Sequence, residues 1–130
     1  MKISIPVEPV AKARARTVIK GGHVMSYTPK KTASAEINIR AAFIGHEHEN
    51  FAPDMPLRVS ATFFIVRPAS KPKRVTMPIT RPDLDNYFKL LTDALEKFVY
   101  SNDSQITTAV IKKRYSSIPS IELEIIPDRE

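Results

Sequence analysis

The sequence predicts an α+β domain in which two main helices pack on a mixed β-sheet, in the order β-β-β-α-β-α-β-β. Three observations predict it. Residues 57–67 and 119–126 alternate apolar and polar with period two, as half-buried strands do. Residues 83–98 carry Leu84, Phe88, Leu91, Leu95 and Phe98 at steps of three and four, which makes one apolar helical stripe. No linker, repeat or low-complexity tract divides the chain, so residues 1–130 read as a single domain.

From the N-terminus, Ile3, Ile5 and Val7 alternate with polar residues and mark a first strand, which Pro6 and Pro9 confine to a sheet edge or an early stop. Gly21-Gly22 falls between short strands at about 15–19 and 23–26, the pattern of a tight hairpin. Thr28-Pro29 starts a helix, with threonine as N-cap and proline in the first turn. Ile37, Ala41 and Ile44 extend that helix over about 29–47. Pro53 and Pro56 break the chain. The strand at 57–67 then turns Leu57, Val59, Ala61, Phe63 and Ile65 to one side. Residues 68–80 form a loop rich in Pro, Lys and Arg, followed by the second helix and strands near 105–114 and 119–126. In the last strand Ile121, Leu123 and Ile125 point inward, with Glu122 and Glu124 outward.

Composition narrows the function classes. Hydrophobic residues make up 42%, too many for a disordered tail. The absence of cysteine excludes disulfides, thiolate zinc sites and cysteine nucleophiles. No apolar run is long enough to span a bilayer, and Met-Lys-Ile-Ser-Ile-Pro lacks the apolar stretch of a secretory signal. A soluble, cytoplasmic protein is the simplest expectation.

The net charge of +6 is unevenly placed. Residues 1–31 hold seven Lys or Arg and one acid, residues 67–81 hold five and no acid, and residues 83–103 hold five acids and two lysines. Two basic segments suit a polyanion, because Lys and Arg that neutralise phosphates release counterions. Solvated surface charge explains them equally well. Lys12, Arg14 and Arg16 alternate with alanines, so an extended chain would put all three charges on one face. With Lys71, Lys73 and Arg74 they are the candidate phosphate contacts, which fix position rather than sequence.

The acidic island is the most informative stretch. In Arg81-Pro82-Asp83-Leu84-Asp85-Asn86-Tyr87-Phe88-Lys89, two aspartates flank a leucine where the basic loop becomes a helix. In an extended or capping conformation both can reach one cation while Leu84 is buried. Mg²⁺ prefers such oxygen ligands and commonly takes one or two carboxylates. Lys89 lies one helical turn after Asp85, where it could stabilise charge developing on a phosphate. The spacing equally allows a structural reading: Asp83 as a cap, Asp85 at the positive helix end, Lys89 paired with Asp85. Asn102-Asp103-Ser104-Gln105-Ile106 is a polar turn entering a strand, and Asp103 alone would be an ordinary turn residue.

Read together, these stretches resemble the RusA family of Holliday junction resolvases. The shared features are a basic residue near D-x-D-N, a lysine four after the second Asp, and an acidic turn before Q-[VI]. Pro9, the Lys12/Arg14/Arg16 run, the Gly-Gly turn and Tyr27-Thr28-Pro29 are also similar, so the likeness covers most of the chain. It implies that Asp83, Asp85 and Asp103 are catalytic, metal-binding carboxylates and Lys89 an accessory catalytic lysine. It further implies Mg²⁺, with Mn²⁺ as the alternative, a four-way junction substrate cut by symmetric paired nicks, a homodimer and a phage or prophage setting. One position departs from the pattern: Asn102 stands where many members have an acid, so the role falls on Asp103.

A helix from about 85 to 98 is roughly 20 Å long, and the residues from its end to Asp103 span at most ~17 Å. A single chain would therefore need a nearly straight return to bring Asp103 back to Asp83. Two such helices, antiparallel across a twofold axis, would place Asp103 of one subunit beside Asp83 and Asp85 of the other, giving a site shared in the dimer. Other residues say less. His46-Glu47-His48 reads as a frayed helix end, His23 lacks a visible partner in sequence, and Tyr27, Tyr100 and Tyr115 suit strand or core as well as base stacking. The competing expectations are a non-catalytic module for branched or duplex DNA, a nuclease for RNA or flaps, and a folded but inactive copy.

Overall fold

A computed structural model describes residues 1–13, 16–27, 29–46 and 48–129, with backbone alone for Arg16 and Tyr27. The elements are β1 (Lys2–Ile5), β2 (Arg16–Lys20), β3 (His23–Tyr27), α1 (Lys30–Ala41), β4 (Leu57–Val66), α2 (Leu84–Leu95), a 3-10 turn (Asp103–Gln105), β5 (Ile106–Ser116) and β6 (Ser120–Pro127). Their order is the one the sequence patterns anticipate. The expected Thr28 cap lies outside the described residues.

The main sheet has the order β1-β6-β4-β5. Its centre is β4, the strand with the cleanest alternation in the sequence. β4 pairs with β5 in parallel and with β6 in antiparallel register. β5 and β6 thus flank β4 instead of pairing with each other. The register sets Val59 against Ile125, Ala61 against Leu123 and Phe63 against Ile121, and Ile3 and Ile5 meet Leu123 and Ile121 across β1. These side chains form one buried face with Leu90, Leu91, Ala94 and Leu95 of α2 and Ile39 of α1. The opposite face is polar: Ser4 donates to Glu122 at 2.7 Å and Lys2 pairs with Glu124 at 3.5 Å. The fold is a two-layer sandwich, helices on one side of the sheet.

Both helices are shorter than their sequence patterns suggest. α1 stops at Ala41, followed by turns and a left-handed Gly45 (φ 75°). Its buried residues are Thr32, Ala35 and Ile39, continued by Phe43. The expected stripe of Ile37, Ala41 and Ile44 faces outward, with Ile37 59% and Ile44 80% exposed. The inner face runs through Thr32, Ala35 and Ile39, so the helix is rotated away from the Ile37–Ala41–Ile44 stripe. α2 stops at Leu95 because Lys97 takes a left-handed conformation (φ 64°) that reverses the chain. Its inner face is Tyr87, Leu90, Leu91, Ala94 and Leu95, while Leu84, Phe88 and Phe98 are only partly buried.

Candidate active site

Asp83 is placed by a strap that is tied to β5. Along residues 67–82, Arg67 Nε donates to the Val75 carbonyl at 2.9 Å, and the Tyr115 amide to the Thr76 carbonyl at 2.8 Å. Lys113 Nζ then donates to the carbonyls of Thr80 (2.9 Å) and Pro82 (3.0 Å). This fixes where the chain enters α2, and Lys113 was not singled out by its sequence context. Asp83 occupies the N-cap position with extended backbone, yet its side chain makes no capping hydrogen bond. Asp85 sits exposed in the first helical turn. Neither is ion-paired to a described residue, so the purely structural reading of the pair loses its two main contacts.

Asp103 comes back to α2 within the same chain. Asn102 accepts from the Ser104 amide, and Gln105 Oε1 accepts from the amides of Ser101 and Asn102. Gln105 Nε2 donates to the carbonyls of Ala52 and Met55, anchoring the turn to the loop before β4. Asn102 is thus a cap. Tyr100, buried beneath the turn, donates to Asp103 Oδ1 at 2.7 Å, with the Thr92 carbonyl also at 3.0 Å from its hydroxyl. Asp103 Oδ2 lies 3.9 Å from Lys89 Nζ.

Asp85, Lys89, Thr92, Asp103, Thr107 and Thr108 all line one cleft of about 620 Å³ between α2 and the start of β5. A register shift at the start of the β4–β5 ladder opens that end of β5, and Asp128 accepts from the hydroxyls of Thr107 (2.6 Å) and Thr108 (2.7 Å) beside it. One chain therefore joins Asp85, Lys89 and Asp103 without a partner. The nearly straight return expected for a single chain is not needed to bring Asp103 to α2, because α2 ends at Leu95 and the chain turns back after it. Asp83 is not among the residues lining the cleft. A comparable groove of about 660 Å³, between Pro6–Val10 and α1, offers only Glu8 and Lys31 as charged groups and no set of carboxylates.

The electrostatics centre on Asp93, which sequence reasoning missed. Lys89 Nζ contacts Asp93 Oδ1 at 2.9 Å instead of pairing with Asp85. Lys12 Nζ contacts Asp93 Oδ2 at 3.0 Å and Glu36 Oε1 at 2.8 Å. Burial alone would raise the Asp93 carboxyl, but the hydrogen bonds from Lys89 and Lys12 hold it below its ordinary value. The Asp93 hydrogen bond raises Lys89, outweighing its partial burial. Burial would lower Lys12, yet its bonds to Glu36 and Asp93 raise it. Burial and the Asp103 carboxylate push Tyr100 far up, so it stays a donor. The signal for Asp93 was available: it lies four residues after Lys89 on the same helix.

Of the expected phosphate contacts, Lys71, Lys73 and Arg74 are exposed on the strap. Lys12 is not: it ties α1 to α2, because Glu36 and Asp93 converge where it passes. Arg14 lies outside the described residues, and Arg16 opens β2 with only its backbone described. Tyr115 packs under Arg67, whose guanidinium lies 6.0 Å from the ring centre, and His48 stacks on Phe98. Among the described residues, no helix is long and apolar enough to cross a membrane.

Asp93, Glu96 and Asp103 each bring a carboxylate oxygen within 4.8 Å of the others, a spacing that a cation could bridge. Asp93 already serves two ammonium groups, so a cation bound to it would meet Lys12 and Lys89. Asp85 and Asp103 also place carboxylates on the cleft, the oxygen donors a hard cation prefers.

Comparison with known proteins agrees with the resemblance read from the motifs. A family model described as Endodeoxyribonuclease RusA matches residues 6–126. An uncharacterized protein, YqaN, of Bacillus subtilis (strain 168) is 30% identical over 137 residues, covering 96% of this chain and 94% of that protein. A Lactococcus phage r1t protein named crossover junction endodeoxyribonuclease rusA is 40% identical over 78 residues, 59% of each chain.

Proposed function

Since the chain belongs to the RusA family of endodeoxyribonucleases, we propose that it is a metal-dependent resolvase of four-way DNA junctions whose catalytic centre is the cleft between α2 and β5. The observation that carries this reading is the meeting of Asp85, Lys89 and Asp103 of one chain in that cleft. The name of the phage relative supports the junction as substrate.

Asp85 and Asp103, with Asp83 two residues before Asp85, would hold Mg²⁺ or Mn²⁺, which supplies Lewis-acid activation of a phosphate and a water when bound. Lys89 keeps its proton at neutral pH, because its pKa lies above the ordinary lysine value. Its part is that of a fixed cation offsetting phosphate charge, not of a base. Asp93, itself bonded by Lys12, holds that ammonium in place, and Tyr100 holds Asp103. Lys71, Lys73, Arg74, Arg14 and Arg16 are the proposed backbone contacts, neutralising phosphates without reading bases. A homodimer would carry two such centres, which suits paired nicks in a junction of near-twofold symmetry.

Labelled four-way junction, linear duplex and single strand, incubated with Mg²⁺ or chelator, test the reading. Paired nicks in the junction alone, dependent on metal and lost in Asp85→Asn while binding persists, are expected. Tight junction binding without cleavage under Mg²⁺ or Mn²⁺ would make the protein a binding module instead.

A further inference from the structure

The hairpin formed by β2 and β3 stands apart from the rest of the fold. It forms its own two-stranded sheet and shares no backbone pairing with the main one. An isolated two-stranded hairpin is marginal in water, so its side chains bear on what it is for. The register pairs Thr17 with Ser26, Val18 with Met25, Ile19 with Val24 and Lys20 with His23. Directly opposed residues share a face. One face therefore ends in the Ile19–Val24 pair beside the Gly21-Gly22 tip, flanked by two hydroxyls. The other face ends in Lys20 and His23. Ile19 is 78% and Val24 70% exposed, although both are large and apolar.

Charge says what could cover them. No acid occurs between Glu8 and Glu36, a stretch with six Lys or Arg residues. Lys12 is paired with Glu36 and Asp93, but the other five leave an excess of positive charge that favours a polyanion. Position agrees with this. The Lys12 amide donates to the Asn86 carbonyl at 2.9 Å, and Asn86 lines the cleft that holds Asp85. The Ala13 amide reaches Thr32 Oγ1 at 3.4 Å. The stem is thus pinned beside the start of α2, and Arg16 opens β2 four residues after Lys12, a reach of at most ~14 Å. The first residue of the hairpin therefore lies within about 14 Å of a segment bonded to the cleft wall.

We propose that this hairpin is a wedge for branched DNA: Ile19 and Val24 insert against unstacked base faces at the branch point, while Lys20 holds a neighbouring phosphate. The proposal rests on the junction-resolvase reading and deepens it, because it says what distinguishes a junction from duplex. Apolar side chains inserted between base steps must offset unstacking. That cost is least where bases are already unstacked, so the same wedge that gains at a branch gains nothing on intact duplex.

The test uses the full-length protein in chelator, with dissociation constants for a four-way junction and for linear duplex, and 2-aminopurine placed at the junction centre. Wild type is expected to prefer the junction and to brighten the probe. The double variant Ile19→Ser/Val24→Ser should lose the brightening and bind the junction about tenfold more weakly, with duplex affinity within about twofold. Lys20→Ala should weaken both substrates and lower the salt slope by about one. Unchanged fluorescence and junction preference in the double variant would overturn the wedge alone. So would a change in sedimenting mass, which would make the surface a contact between copies of this chain. A wild type without junction preference would overturn the resolvase reading and the wedge together.

Discussion

Replacing Asp93 by Asn removes one negative charge that two ammonium groups share. Lys12 keeps Glu36 at 2.8 Å, but Lys89 keeps only Asp103, at 3.9 Å. The two lost links are unequal. The Asp93 side chain is 19% exposed and that of Lys12 27%, so their bond is partly desolvated. Lys89 is 59% exposed, and a surface pair of that kind contributes up to ~0.5 kcal/mol. The new amide can still accept one hydrogen bond, so the net loss is about 1–2 kcal/mol, a fall in Tm of about 3–8 °C for a domain of this size. The sign with pH follows from the depressed Asp93 carboxyl, which contributes stability above its unfolded value of 3.8 and loses it as pH falls through the folded one. The difference between wild type and variant should be full at pH 7 and shrink below pH 3.8. Activity should suffer more than stability, since a displaced Lys89 ammonium costs about 10- to 100-fold in single-turnover cleavage, with junction affinity little changed. Thermal melts at pH 7 and pH 3, with single-turnover cleavage at saturating enzyme, measure all three. A variant that melts and cuts like wild type at pH 7 would refute the claim that Asp93 anchors Lys89.

Tyr100→Phe removes the 2.7 Å hydrogen bond to Asp103 and should slow cleavage while raising the metal concentration needed for half activity, at a stability cost of about 1 kcal/mol; metal-titrated cleavage rates check it. Gln105→Ala strips four hydrogen bonds made by the one buried side chain of an otherwise exposed or half-buried turn and should destabilise by about 2–4 kcal/mol, read by denaturant titration. Lys113→Met frees the strap at Thr80 and Pro82, and amide exchange in residues 76–82 should quicken while the β4–β6 ladder stays protected.

The sequence carried the element order and the central strand well, because period-two alternation in 57–67 coincides with real burial on one face. It carried the helices less well. Ile37 and Ile44 suggested one helical face, but the face that packs is Thr32, Ala35 and Ile39, continued by Phe43, and a sparse apolar pattern cannot choose between the two. Phe98 extended the α2 stripe on paper, while the left-handed Lys97 breaks the helix before it, and nothing in lysine's propensities announces that conformation. At the candidate site, Asp85, Lys89 and Asp103 stood out from motif order, and all three line one cleft. Lys12 and Asp93 were not. An ion pair between residues 81 positions apart in the chain is a product of tertiary packing, so nothing in the local sequence showed that Lys12 pairs with Glu36 and Asp93.

We propose that Asp85 and Asp103 act from the same chain in the α2–β5 cleft. Single-turnover junction cleavage by wild type, by Asp85→Asn, by Asp103→Asn and by an equimolar, co-refolded mixture of the two variants tests it directly. The account predicts that wild type cuts and that each variant and the mixture are at least ~100-fold slower, because no subunit in the mixture holds both carboxylates. Nicking restored in the mixture would show that the carboxylates work across subunits, and variants as fast as wild type would move the catalytic centre out of this cleft.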